Sequence, residues 1–196
     1  AHFHALRCDI LHALLDWSSV VFALIVAALA YVHFRVTGHI TAPILRLALL
    51  FSGVMDAFPT LAAMRLIPVA APDADFLPFS WALSRSFNAL ILLVGTLLAL
   101  GAIHRGSAHS PRSLPWVALA FGLAAISLIV LTATADELPE TQFENSLITR
   151  PFDLLPLIVF IGTVPFLIRL HRATPNPMTA SLIFALLPAI ALEIHM

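Results

Sequence analysis

The chain has 196 residues and a formal net charge of −1; 60% of it is apolar and only 11% charged, with a mean hydropathy of +0.98. Soluble domains carry about 25% charged residues, so this composition excludes a soluble domain, a disordered chain, a collagen and a coiled coil. The near-zero net charge offers no basic field to nucleic acid, and the single Cys8 allows neither an internal disulfide nor a Cys-rich metal site. The class left standing is an all-α, polytopic transmembrane helical bundle forming one domain over residues 1–196. Strict strand alternation is absent, which sets a β-barrel aside.

A crossing needs roughly 20 mostly apolar residues, and six stretches provide them. The spans run from about Ile10 to Phe34, Thr41 to Leu66, Leu77 to Ile103, Leu114 to Ala135, Leu147 to Ile168 and Met178 to Met196. The fourth contains no charge. Turn formers mark the connections: Thr37-Gly38, Pro68 to Pro78, Gly106 to Pro111, Pro139, and Pro175-Asn176-Pro177. Pro156 and Pro165 fall inside the fifth span and Pro188 inside the sixth, where neighbouring groups can recapture the freed carbonyls. No internal repeat is visible, which counts against an inverted-repeat transporter.

Loop charge sets the expected orientation. Arg35 and Arg46 flank the first loop, Arg105 and Arg112 the third, and Arg169 and Arg172 the fifth. Asp73 and Asp75 lie in the second loop, and Asp136, Glu137, Glu140 and Glu144 in the fourth. The positive-inside rule then puts the odd loops in the cytoplasm and the N-terminus outside, despite Arg65 and Arg150 on the outer side. Six crossings would leave Met196 outside as well, so a cytoplasmic output domain would require a further span. The expectation is a bundle belonging to a longer protein of the bacterial inner membrane.

Ionisable groups within spans are costly and usually face the bundle interior or a cavity. Asp9, His12 and Asp16 share one face at the outer end of the first span. Asp56 lies about ten residues, roughly 15 Å, from the outer end of the second, and Arg85 about eight residues, roughly 12 Å, from that of the third. The matched depths suggest an Asp56–Arg85 ion pair, with Asn88 one turn deeper on the face of Arg85 and Trp81. Arg150 and Asp153 occupy the outer turn of the fifth span. Asp56, Trp81, Arg85, Asn88 and Asp16 are the candidate pocket residues; the competing reading is that the polar groups only tie helices together.

Five of the nine histidines, His33, His39, His104, His109 and His171, belong to cytoplasmic ends or loops. His2, His4, His12 and His195 lie on the outer side with Glu193. Imidazole and carboxylate together suit a metal ion, and two imidazoles a haem; surface residues and a proton-coupled switch are equally compatible with the spacing. No cofactor is named by it. Walker A, G-x-G-x-x-G, H-E-x-x-H and G-x-S-x-G patterns are all missing, and Ser18, Ser19, Ser84 and Ser86 read as packing hydroxyls. The expectation is not an enzyme.

The stretch Gly53-Val54-Met55-Asp56-Ala57-Phe58-Pro59-Thr60-Leu61-Ala62 resembles the G-x-x-D-x-x-H-T-L-A pattern of bacterial membrane-associated sensor (MASE-type) domains. Trp81-Ala82-Leu83-Ser84-Arg85 is similar to the W-x-x-x-R of the next helix of that family, and Asp9 to Ser19 to its first helix. The likeness covers about the first hundred residues. It implies a polytopic input module ahead of a kinase or cyclase, with Asp56, Trp81 and Arg85 in the pocket. Pro59 stands where the family pattern has His, so a role resting on that His would be lost. The expected function is detection of a ligand, metal or redox signal at the outer leaflet, relayed to the cytoplasm. The expected partners are the lipid bilayer and a second copy of the chain. The alternatives are an accessory subunit of a larger redox or photosynthetic membrane complex, and a haem or metal protein.

Overall fold

A computed structural model describes residues 41–106, 113–141 and 151–195, with the backbone alone at Asp73 and 192–195, and the separate positions Ser18, Val21, Ile25, Ala28 and Val32. Those five are helical and exposed, spaced three or four apart along one helical face. The rest of the expected first span, with Asp16, lies outside the described residues.

Among the described residues all regular structure is helical: α1 (Thr41–Ala63), α2 (Asp73–His104), α3 (Leu114–Thr134), α4 (Leu154–Ala173), entered through a 3₁₀ turn at Pro151–Asp153, and α5 (Pro177–His195). The first four are long and apolar enough to cross a membrane, while the apolar part of α5, Pro177–Ala191, is shorter. The sixth expected span is therefore present as a helix, Pro177–His195, and the count of helices long and apolar enough to cross is four among the described residues.

Local chemistry explains the boundaries. At the end of α1, Leu66 N–H donates to the Leu61 carbonyl at 2.9 Å and Arg65 N–H to Ala62 at 2.8 Å. This paired closure needs a left-handed residue, and Arg65 takes that position at φ 57°. Gly106, at φ 64°, does the same beyond α2 without steric cost. α2 begins four residues earlier than the hydropathy suggests: the Pro72 carbonyl accepts from the Asp75 and Phe76 amides at 3.1 and 2.9 Å, and Asp75 sits favourably in the first turn. Its 32 residues extend roughly 48 Å, more than the thickness of a hydrocarbon core. The fifth expected span runs on past Ile168 to Ala173, and its expected start at Leu147 lies outside the described residues. Pro151 opens a turn instead of a helix interior, and His171 and Arg172 extend the far end, where cations complement the carbonyls.

The helices pack mainly in the order α3–α1–α2–α4–α5, with α2 at the centre. Gly95 of α2 lets α1 approach closely: a Cβ there would stand 3.2 Å from that of Ala48, as expected where small residues line a helix contact in lipid. Leu45, Leu92, Leu100, Leu167, Leu170, Leu182 and Leu186 bury one cluster among α1, α2, α4 and α5. Phe58 and Phe76 meet edge to face at 5.5 Å near the α1–α2 turn. Buried Thr96 and Thr163 return their hydroxyl protons to Leu92 and Val159, both at 2.7 Å, so neither leaves an unmatched donor. α3 is the least buried of the four long apolar helices. Pro59 lies inside α1.

The described acidic residues collect at one end of the bundle (Asp56, Asp75, Asp136, Glu137, Glu140, Asp153). Arg46, His104, Arg105, Arg169, His171 and Arg172 collect at the other.

Candidate functional site

Asp56, on α1, shows its side chain at an exposed position, and α2 supplies its donors. Asn88 Nδ2 donates to Asp56 Oδ1 at 2.8 Å, and Ser84 Oγ donates to the same oxygen in a short hydrogen bond. Ser84 and Asn88 are four residues apart, so they stack on one side of α2 and converge on one acceptor. Ser84 is itself buried. Asn88 Oδ1 is buried and has no hydrogen-bond partner; that leaves an unsatisfied acceptor beside the carboxylate, at a desolvation cost of about 1–3 kcal/mol.

Arg85 follows Ser84 and is rotated about 100° around the helix axis. It is directed to a third helix: its Nη1 lies 3.6 Å from Asp153 Oδ1, with the two side chains 24% and 12% exposed. Asp153 occupies the cap position of α4 but makes no side-chain capping bond; its carboxylate turns to Arg85 instead. The roles are thus divided differently from a simple Asp56–Arg85 pair. Two neutral donors of α2 hold the carboxylate of α1, and the cation of α2 reaches the carboxylate of α4. Arg85 thus stands level with Asp153, the residue that precedes α4.

Trp81 lies one turn before Arg85 and is 47% exposed. Of the candidate pocket residues, Asn88 meets Asp56 across the α1–α2 contact and Arg85 meets Asp153 at the entry to α4, while Asp16 is outside the described residues. Sequence reasoning missed Ser84, read as a packing hydroxyl, and Asp153, placed at the outer turn without a partner. The available signal was spacing: Ser84 and Asn88 are the i, i+4 pair at the depth of Asp56.

No group of three metal-binding side chains occurs among the described residues. His2, His4 and His12, and the side chains of Glu193 and His195, lie outside them, so the expected metal or haem set is not represented. Two histidines of the basic end have local partners. His104 Nδ1 is 2.8 Å from the Leu100 carbonyl, and His171 Nδ1 is 2.7 Å from Thr179 Oγ1.

In comparisons with known proteins, no family model, curated protein or solved structure matches the chain.

Proposed function

We propose that the chain is a sensory input module embedded in a bacterial inner membrane, of the kind the MASE-type resemblance implies. A proton or small polar ligand would arrive from the outer side at Asp56, beside Trp81. The observation carrying this reading is that neighbouring residues of one helix hold carboxylates of two others: Ser84 and Asn88 hold Asp56, and Arg85 holds Asp153. An intramembrane carboxylate is costly to keep and is by default a candidate for function. Neutralising Asp56 weakens the grip of α2 on α1, while the α2–α4 tie persists. The outcome is a relative movement of helices whose far ends face the cytoplasm in the six-span, N-terminus-outside topology.

The test uses the full chain in nanodiscs, with Cys8 replaced by Ser and spin labels at Arg105 and Thr174, at the end opposite the charged layer. Lowering the pH from 7.5 through the carboxylate range to 3.5 should change the distance between the labels in the parent protein and leave it constant in Asp56→Asn. A distance independent of pH in the parent overturns the proton-driven reading.

The exposed apolar surface of α3 favours a second reading, an accessory subunit of a larger membrane complex. Trp116 is 71% exposed, and Leu119, Leu123, Ile126 and Leu131 accompany it. Stoichiometric partners retained in mild detergent would support that reading; a particle holding copies of this chain alone would remove it.

A further inference from the structure

Met178 is the second residue of α5, and local capping fixes its place. Its N–H is donated to Asn176 Oδ1 at 3.0 Å, and the Thr179 hydroxyl is donated to the Asn176 carbonyl at 2.8 Å. The side chain reaches across to α1, where Arg46 Nε donates to the Met178 sulfur at 3.2 Å. A thioether is a weak acceptor, and Arg46 Nη1 is buried with no partner. Among the described residues no carboxylate pairs with this guanidinium. A charged donor held in this way is poorly satisfied, and the sulfur it touches is an atom that a chemical change turns into a much stronger acceptor.

Oxidation makes that change. The sulfur lone pair attacks one oxygen of hydrogen peroxide; the S–O bond forms as the O–O bond breaks, and the departing hydroxide takes the remaining proton and leaves as water. Sulfur is oxidised by two electrons and the peroxide is reduced by two. The sulfoxide oxygen is strongly polar, and in an apolar core it disrupts packing. Beside Arg46 it meets a cationic donor instead, and a charge-assisted hydrogen bond of this kind is about twice as strong as a neutral one. The thioether is also within reach of a small oxidant: Met178 is only half-buried and forms part of the wall of a small recess with Leu45, Thr174 and Thr179. Met55, by contrast, is fully buried.

We infer that Met178 is a redox modification site: a peroxide converts its thioether to the sulfoxide, whose oxygen accepts from Arg46 and tightens the contact between α5 and α1. The inference is independent of the sensing role proposed for the opposite end, since it uses neither Asp56 nor the donors that hold it.

The test uses the full chain in detergent micelles with Cys8→Ser, Met64→Leu and Met196→Leu, a parent whose remaining sulfur atoms are those of Met55 and Met178. Hydrogen peroxide should add one oxygen, located by peptide mass spectrometry at Met178 and not at Met55. The thermal unfolding midpoint should then rise by several degrees in the parent and, as a control at the same end, in Arg105→Gln, whereas in Arg46→Gln it should fall. A second comparison needs no peroxide and decides if Arg46→Gln does not fold: Met178→Gln, which offers an amide oxygen in place of the sulfoxide's, should unfold at a higher temperature than Met178→Leu. Absence of oxidation at Met178, oxidation of Met55 at the same rate, a midpoint that moves on oxidation alike in the parent and in Arg46→Gln, or a Met178→Gln no more stable than Met178→Leu would overturn the site.

Discussion

Arg85 and Asp153 face each other across the α2–α4 contact with 3.6 Å between Nη1 and Oδ1, and the aspartate forgoes the capping bond of its own helix to do so. The distance is that of an ion pair without a short hydrogen bond, and both side chains are mostly shielded. A double-mutant cycle of Arg85→Gln and Asp153→Asn should give a coupling energy of about 1 kcal/mol. The cycle of Arg85→Gln with Asp56→Asn should give less than half of that. Unfolding midpoints in detergent supply both numbers, and the reverse ranking would return Arg85 to Asp56.

Asp56→Ala removes the acceptor on which Ser84 and Asn88 converge, leaving two donors without their partner. A loss of about 1–3 kcal/mol in stability is expected. Asp56→Asn keeps an oxygen at the same place and should lose less than half as much. Equal losses would show that the charge, and not the acceptor geometry, holds α1 to α2.

Arg65 is a non-glycine residue in the left-handed region at the end of α1. Arg65→Gly keeps the backbone closure and removes the Cβ strain, so it should raise stability by about 0.5–1 kcal/mol. Gly106→Ala should do the opposite at the end of α2, at about 1 kcal/mol. A destabilised Arg65→Gly would mean that its side chain contributes more than its backbone costs.

Gly95 and Gly101 lie on the same helix and should behave differently. A side chain at Gly95 meets Ala48, whereas nothing lies within 4 Å of the Cβ position at Gly101. Gly95→Leu should cost about 1–3 kcal/mol by forcing α1 and α2 apart, and Gly101→Leu should be neutral or mildly stabilising in a helix interior. Parallel thermal unfolding of the two variants is sufficient.

Hydropathy made the helices legible because apolar runs are long and the breaks carry Pro and Gly: Leu114–Thr134 agrees with the expected fourth span within a residue. It ended the fifth span at Ile168, five residues short of the observed end at Ala173, because Arg169, His171 and Arg172 break the apolar run while still belonging to the last turns of the helix. Depth matching brought Asp56 to the level of Arg85 and Asn88 but could not say which residue of α2 touches it. A helix that is apolar on nearly every side carries no face signal, so the 100° separating Ser84 from Arg85 was invisible. Asp153 was unreadable for a different reason: an aspartate at a helix start ordinarily bonds to its own backbone, and its turn toward Arg85 is a tertiary choice.

Pro59, inside α1, has no amide hydrogen to give the Met55 carbonyl one turn earlier. The backbone beside Asp56 thus lacks one rung of its ladder, and the three-residue interval between them joins a titratable group to a soft joint in the same rod. Bending strain entering α1 from either end would concentrate in that interval, which makes Pro59→Ala a stiffening change whose effect should appear at positions far from the substitution itself.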